Sequence, residues 1–101
     1  MTLPEDYIGY MSGNSPIEGG LTVEPGWFQL WPLNEASKWN WEYQVEEFAP
    51  GFLGFGSSGG GEMLAFDGEG RVWMLPFVGM CPADAKLVAS SWREFVVKME
   101  N

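Results

Sequence analysis

Residues 62–77 carry the pattern that most restricts how this chain can fold. Two apolar runs, at residues 63–66 and 71–75, flank the short segment 67–70, which reads Asp-Gly-Glu-Gly. Glycine readily takes the positive φ angles that tight turns between strands require. Apolar runs of this length on either side of such a turn are typical of neighbouring antiparallel strands. The sequence therefore predicts a β-hairpin in which residues 63–66 pair with residues 72–75.

Near the C-terminus, an apolar stripe predicts a helix that packs on this hairpin. The residues that share one helical face are Val88, Trp92, Phe95, Val96 and Met99. Periodicity alone would allow one helix from residue 84 onward. The capping pattern Ser-Trp-Arg-Glu at residues 91–94 instead favours a start at Trp92, with residues 87–89 extended before it. We expect Trp92, Phe95, Val96 and Met99 to lie against the sheet.

The first part of the chain predicts three further elements. Residues 2–5, Thr-Leu-Pro-Glu, have the form of a capping box and indicate a short N-terminal helix. The predicted inner face of that helix consists of Leu3, Tyr7, Ile8 and Met11. Residues 27–31, Trp-Phe-Gln-Leu-Trp, indicate a strand that Pro32 stops. A short helix over residues 33–39 follows, and the glycine-rich residues 56–61 indicate a loop.

Length and composition indicate one folded domain over residues 1–101. A chain of 101 residues with 46% hydrophobic and 16% aromatic residues has enough apolar material for one core and too little for two. The single cysteine, Cys81, excludes an internal disulfide, and no basic-then-apolar leader is present. No apolar run approaches the roughly 18 residues that span a bilayer. We expect a soluble cytoplasmic protein.

Acidic residues are concentrated in the first two-thirds of the chain. The formal net charge is −9, and residues 1–69 hold 11 acidic residues against one basic residue, Lys38, a balance of −10. Such a field repels nucleic acid and anionic membranes and attracts basic surfaces. The charge therefore favours a basic protein partner. The alternative is that acidic residues only keep an aromatic-rich protein in solution.

Most catalytic machinery is missing from the sequence. The chain contains no histidine, so catalytic triads and histidine-containing zinc sites are excluded, and Cys81 alone cannot complete a thiolate cluster. Without a histidine to lower its pKa, Cys81 is predicted to be a small buried hydrophobe. Carboxylate pairs such as Glu62 with Asp67 or Glu46 with Glu47 could act as acid and base or hold a divalent metal. A carboxylate or metal enzyme is therefore the less favoured hypothesis.

Residues 54–59 match the pattern G-x-G-x-x-G, which binds dinucleotides when it joins a strand to a helix. Here the following residues predict a strand, and no basic residue lies between Lys38 and Arg71. A phosphate would therefore meet net negative charge without a helix N-terminus to hold it. We expect the loop over residues 54–61 to bind no nucleotide, and no cofactor is predicted.

The tryptophans divide between core and candidate interface. Trp73 in the hairpin and Trp92 on the apolar stripe are predicted to be core residues. Trp39 and Trp41 alternate with polar residues, which fits either core packing or anchors at a protein interface, because interface hot spots favour tryptophan beside a charged rim.

The order of these signals resembles the SUKH superfamily, which includes a fungal cell-wall-assembly regulator and many bacterial immunity proteins. The matching segments are Leu-Pro-Glu-Asp-Tyr at 3–7, Ser-Gly-Asn at 12–14, Leu-Trp-Pro-Leu-Asn-Glu at 30–35, the glycine-rich 55–62 followed by Phe-Asp at 66–67, and 88–95. The chain departs from the family pattern at Ser58, where an acidic residue is common, and at Trp92, where Phe is usual. We also expect it to lack the additional helix that usually precedes the Leu-Pro segment, in which case a partner or a second copy, as a homodimer, would cover exposed core.

The resemblance implies an α+β fold with helices packed on a curved, mainly antiparallel β-sheet and with short N-terminal and C-terminal helices. It also implies a non-enzymatic binding domain, an immunity protein that neutralises a cognate basic toxin, often a nuclease, or alternatively a regulatory adaptor. We expect the partner to meet an acidic face with Trp39 or Trp41 as its anchor. The candidate acidic residues of that face are Glu18, Glu24, Glu35, Glu42, Glu46 and Glu47. No catalytic or metal-ligating residue is predicted.

Overall fold

The computed structural model describes residues 3–100, and its central element is a six-stranded antiparallel sheet. The strands are β1 Glu18–Gly20, β2 Trp27–Leu30, β3 Leu53–Ser57, β4 Glu62–Phe66, β5 Val72–Pro76 and β6 Lys86–Ala89. Each strand pairs with the next one along the chain, and the sheet curls into a half-barrel. The helices are α1 Glu5–Met11, α2 Leu33–Glu42, α3 Val45–Phe48 and α4 Trp92–Val97. The predicted α+β fold with short terminal helices is confirmed.

The hairpin predicted from residues 62–77 is formed by β4 and β5. The paired residues include Met63 with Leu75 and Phe66 with Val72, which is the predicted register. Asp67 holds the turn between the two strands, because its Oδ1 accepts hydrogen bonds from the backbone N–H groups of Glu69 and Arg71. Its Oδ2 accepts from Trp73 Nε1 at 2.9 Å and from Arg71 Nε at 2.6 Å. One carboxylate thus fixes both the turn and a side chain on β5.

Helices α1 and α4 cover one face of the sheet and enclose an aromatic core. The largest buried side chains there are Tyr7, Phe28, Phe55, Phe66, Trp92 and Phe95. Helix α4 begins at Trp92 as predicted, and Ser91 Oγ accepts a hydrogen bond from the N–H of Glu94 at 3.1 Å. Trp92 and Phe95 are buried, and Val96 and Met99 pack against them. The predicted packing of this stripe on the sheet is confirmed.

The predicted inner face of α1 is correct except for one residue. Tyr7 is buried and Leu3 and Met11 pack against the aromatic core, but Ile8 is 40% exposed. In a helix this short, Ile8 lies about 100° around the axis from Tyr7, so both cannot face the same core. Helix α1 starts at Glu5 with Pro4 at the N-cap position, and the proposed cap Thr2 lies outside the described residues.

A second, smaller core lies on the opposite face of the sheet, under α2 and α3. Its buried side chains are Val45, Ala49, Met63, Ala65, Leu75 and Met80. Because side chains alternate along a strand, β4 sends Leu64 and Phe66 to the first core and Met63 and Ala65 to the second. Trp73 packs against this second core and is only partly buried. The sheet is therefore buried on both faces, which explains the long apolar runs in its central strands.

Three features of this face differ from the predictions. Helix α2 runs to Glu42, three residues beyond the predicted end, and the short helix α3 was not predicted. Gln44 separates them with a left-handed backbone, φ 55°, which ends α2 and redirects the chain. Cys81 was predicted to be buried but is only half-buried, because it lies in the connection between β5 and β6, just before the 3₁₀ turn Pro82–Asp84, and not in a strand or helix that packs on a core.

Residues 98–100 contact both edges of the sheet. On the β1 side, the N–H of Thr22 donates to the carbonyl of Lys98 at 2.8 Å, and the N–H of Glu100 donates to the carbonyl of Gly20 at 2.9 Å. On the β6 side, Lys98 Nζ donates to the carbonyl of Val88 at 3.1 Å. The two outer strands therefore lie within reach of one lysine.

Replacing Tyr7 with phenylalanine should stabilise the protein by about 1 kcal/mol at neutral pH, because a buried hydroxyl without a partner carries an uncompensated desolvation cost. The Tyr7 hydroxyl is buried and has no hydrogen-bond partner among residues 3–100. Urea unfolding of both proteins measures the difference. Tyr43→Phe, which removes a hydroxyl from a partly exposed ring, is the matched control.

Tyr7→Phe should also change how the free energy of unfolding depends on pH above pH 10. Burial raises the pKa of the Tyr7 hydroxyl from its usual 10.0 to about 12. The native state therefore retains this proton to higher pH than the unfolded chain does, so the free energy of unfolding is unaffected by this group below pH 10 and falls as the pH rises toward 12. The Tyr7→Phe protein should lose less stability over this range than the wild type does. If both proteins lose the same amount of stability between pH 10 and pH 12, the loss does not come from Tyr7.

Candidate functional site

A groove opens between α2 and α3 on the side of the second core, and we call it the α2–α3 groove. It encloses about 760 Å³. The residues that line it are Ser37, Asn40, Trp41, Glu42, Gln44, Glu46, Glu47, Gly51, Phe52 and Leu53. One wall comes from the C-terminal half of α2, the other from α3, and the segment that leads into β3 closes it. The turn at Gln44 brings these walls together.

Asn40 fixes the α2 wall of this groove to the sheet. Its side-chain amide donates to the carbonyl of Gly54 at 2.8 Å, and its Oδ1 accepts from the N–H of Gly54 at 2.8 Å. The same amide donates to the carbonyl of Ala36 at 2.8 Å, one turn earlier in α2. The side chain thus pairs with β3 as a neighbouring strand would. Helix α2 is held in place before any ligand arrives.

Trp41 is the most exposed aromatic side chain named at this site. It is 80% exposed, and within residues 3–100 it stacks on no other aromatic ring. A large apolar ring left in water beside a groove is a usual feature of protein interfaces, where tryptophan often carries much of the binding energy.

The carboxylates of the groove form no ion pair with any residue between 3 and 100. Within residues 3–100, the ion pairs join Arg71 to Asp67 and Glu69, and Lys98 to Glu94. Glu42, Glu46 and Glu47 are therefore three exposed acids that form no ion pair within the described residues. A concave surface lined by charge of one sign concentrates the field, which favours a cationic ligand.

The two candidate anchor tryptophans lie on different sides of α2. Trp39 is half-buried and packs beside Trp31 and Tyr43, with ring centroids 6.2 Å and 6.0 Å away. Lys38 Nζ lies 5.2 Å from the centroid of the Trp39 ring. Neither Lys38 nor Trp39 lines the groove. The structure thus separates Trp39 from Trp41 and directs the one cation of residues 1–69 away from the groove.

The six candidate acids are also divided in space. Glu42, Glu46 and Glu47 line the groove, together with Trp41. Glu35 lies in the first turn of α2, whereas Glu18 is on β1 and Glu24 is in the connection from β1 to β2. These three acids do not line the groove. Charge that is concentrated in the sequence is therefore only partly concentrated on one surface.

Several residues that shape the groove were not identified from the sequence. Gln44, Phe52 and Leu53 line it, and Asn40 positions it. Asn40 could have been found, because it lies at the helical spacing of Leu33 and Ala36 and so places a polar amide on an otherwise inward face. The left-handed turn at Gln44 has no comparable sequence signal.

The loop predicted over residues 54–61 is formed only in its second half. Gly54, Phe55, Gly56 and Ser57 belong to β3, and only the residues after Ser57 form the hairpin loop into β4. A Cβ at Gly54 would lie 2.7 Å from Met63 Sδ and 3.0 Å from Trp31. Gly59 has φ +78°. The glycines are thus explained by close packing and a turn, and the segment runs from strand to strand, which is not the geometry of a dinucleotide site.

Two carboxylates with lowered pKa values, Asp67 and Glu94, lie outside the groove and have hydrogen-bond partners. Burial opposes ionisation of Asp67, but hydrogen bonds from Trp73, Arg71 and Glu69 outweigh it and lower its pKa. The Lys98 ammonium, 3.0 Å from the Glu94 carboxylate, lowers the pKa of Glu94. Within residues 3–100, no three potential metal ligands come together, and no helix is both long and apolar enough to cross a bilayer.

Comparison with known proteins places the chain in a family. No curated protein matches it. A family model described as SMI1 / KNR4 family (SUKH-1) matches residues 1–98, nearly the whole sequence. Because this match includes every strand and helix described above, the chain belongs to the SMI1 / KNR4 family (SUKH-1).

Proposed function

We propose that this chain is an immunity-type protein that binds and neutralises a basic toxin through the α2–α3 groove. The observation that carries the proposal is the exposed Trp41 beside Glu42, Glu46 and Glu47. Family membership is consistent with an immunity-protein-like function, and members of this family are generally not enzymes. Such a protein acts by covering its partner.

The distribution of charge and apolar surface supports this proposal. An uncompensated acidic rim speeds the encounter with a basic surface, because opposite charges steer diffusion. An aromatic anchor then slows dissociation, because its burial removes a large apolar area from water. The Asn40 contacts hold the α2 wall fixed, so little conformational entropy is lost when the partner arrives.

The proposal is tested with the product of the open reading frame beside this one. We expect that product to be toxic to a bacterial host and basic, and co-expression of this chain should restore growth. The purified pair should associate more slowly as salt rises from about 0.1 M to 1 M, where the screening length falls from about 10 Å to about 3 Å. Dissociation should change much less.

Two triple variants locate the contact surface. Replacing Glu42, Glu46 and Glu47 with glutamine should weaken binding roughly tenfold or more, because it removes the groove charge. Replacing the exposed Glu5, Glu18 and Glu24 with glutamine changes the net charge equally and should weaken binding less than threefold. Stopped-flow association and equilibrium titration measure both effects. Equal weakening by the two variants would place the contact elsewhere, and a non-toxic or acidic neighbour product would contradict neutralisation of a basic toxin.

A further inference from the structure

We infer that the α2–α3 groove receives an arginine side chain of its partner, stacked on the Trp41 indole and hydrogen-bonded to the groove carboxylates. This inference rests on the proposed function and specifies the chemistry of the contact. It depends on three observations: the isolation of Trp41, the uncompensated carboxylates and the rigidity of the α2 wall.

The Trp41 ring offers a surface that the described residues 3–100 leave 80% exposed. Four other rings on this face, Trp31, Trp39, Tyr43 and Phe77, contact one another. Lys38, which could have supplied a cation, lies over Trp39. Trp41 therefore keeps its ring available to a cation from outside, and indole is the aromatic group that binds cations best.

The acids beside Trp41 favour a ligand with several donors. Glu42, Glu46 and Glu47 can each accept hydrogen bonds through two oxygens, and no donor of residues 3–100 is hydrogen-bonded to their side chains. Asn40, in contrast, already uses its amide and its carbonyl oxygen on Ala36 and Gly54. The charged groups that line the groove are therefore all acceptors, and Ser37 and Gln44 add only neutral side chains beside them.

Arginine fits this combination better than lysine does. The guanidinium group is planar, so it can stack on an indole while its edge N–H groups donate to carboxylates in the same plane. A lysine ammonium is a compact, strongly hydrated charge and cannot use both contacts in this way. Carboxylates alone would distinguish arginine from lysine poorly. Stacking on the Trp41 ring is what favours arginine.

The test uses the intact protein and three blocked hexapeptides that alternate glycine with arginine, lysine or citrulline. Citrulline has the shape of arginine without its charge. Binding is followed at low salt through the indole N–H resonance of Trp41, which a Trp41→Phe spectrum assigns. We expect the arginine peptide to bind roughly fivefold or more tightly than the lysine peptide, and the citrulline peptide to cause no shift.

Variants separate stacking from charge. Trp41→Ala should bring the arginine and lysine affinities to within about twofold of each other, because only the charge attraction remains. The Glu42, Glu46 and Glu47 triple glutamine variant should abolish binding of both peptides, whereas the matched Glu5, Glu18 and Glu24 variant should retain the preference. Equal affinities for arginine and lysine in the wild type, or shifts only in other indole resonances, would overturn the inference.

Failure of this inference is distinguishable from failure of the proposed function. If the toxin is neutralised and its binding depends on the groove acids, but the peptides show no arginine preference, then only the arginine contact is wrong. If the arginine peptide binds at Trp41 while growth rescue is unaffected by the groove variants, the contact is correct and the proposed function is wrong.

Discussion

Replacing Gly56 with alanine should cost this domain about 3 kcal/mol or more of its folding free energy, a large part of the roughly 5–15 kcal/mol typical of small domains. A Cβ at Gly56 would collide with the backbone carbonyl oxygen of Gln29 and would lie 3.2 Å from the Cα of Leu30. Because Leu30 and Gly56 are paired residues of β2 and β3, neither backbone can move away without breaking the sheet. Urea unfolding measures the loss.

Gly61→Ala is the matched control for this variant. Gly61 lies in the loop before β4, has no atom within 4 Å of an added Cβ and is not among the positive-φ glycines. Its replacement should change stability by no more than about 0.5 kcal/mol. If both variants have similar stability, then the close approach of β2 and β3 at Gly56 is not a constraint on this fold.

Replacing Asp67 with alanine should be nearly as damaging, at about 3 kcal/mol. The carboxylate accepts four hydrogen bonds, and its loss would leave the partly buried Trp73 Nε1 and two backbone N–H groups of the turn without this acceptor. Hydrogen bonds to a charged group are each worth more than neutral ones, although their contributions are not additive. Asp84→Ala, at an exposed position in the 3₁₀ turn Pro82–Asp84, is the control and should have little effect.

Asp67→Ala should also lose stability differently from the wild type as the pH falls. The pKa of Asp67 is lowered in the native state, so the unfolded chain takes up a proton first as the pH falls. The stabilisation is present above the unfolded-state pKa, near 4, and is lost as the pH falls through the native pKa. Asp67→Ala should therefore lose less stability than the wild type between neutral and acidic pH. If the free energies of unfolding of the two proteins fall in parallel as the pH is lowered, then Asp67 does not contribute in this way.

The parts of the fold that were predictable from sequence are those determined over short distances along the chain. The β4–β5 hairpin follows from the Asp-Gly turn, and the start of α4 at Trp92 follows from its cap at Ser91. The groove depends instead on contacts between distant residues. Asn40 pairs with the backbone of Gly54, fourteen positions away, and nothing in either local sequence specifies that pairing.

The candidate site was predictable only in part for the same reason. The sequence shows that acids and tryptophans are abundant between residues 35 and 47, but α2 directs them to different sides. Trp39 and Trp41 are two residues apart and lie about 200° apart around a helix axis. Which of them meets a partner depends on which side of α2 packs on β3. Whether the groove binds a partner remains a prediction that the variants above test.

Residues 98–100, just after α4, are hydrogen-bonded at both edges of the sheet. Unpaired strand edges invite other chains to add strands, and proteins usually protect each edge separately. Here the backbone of Lys98 pairs beside β1 while its ammonium group is bonded to β6. Helix ends are among the first parts of a protein to fray. Fraying of residues 98–100 would therefore remove hydrogen-bond partners from both outer strands in a single event, so the two edges of the sheet are protected together and not independently.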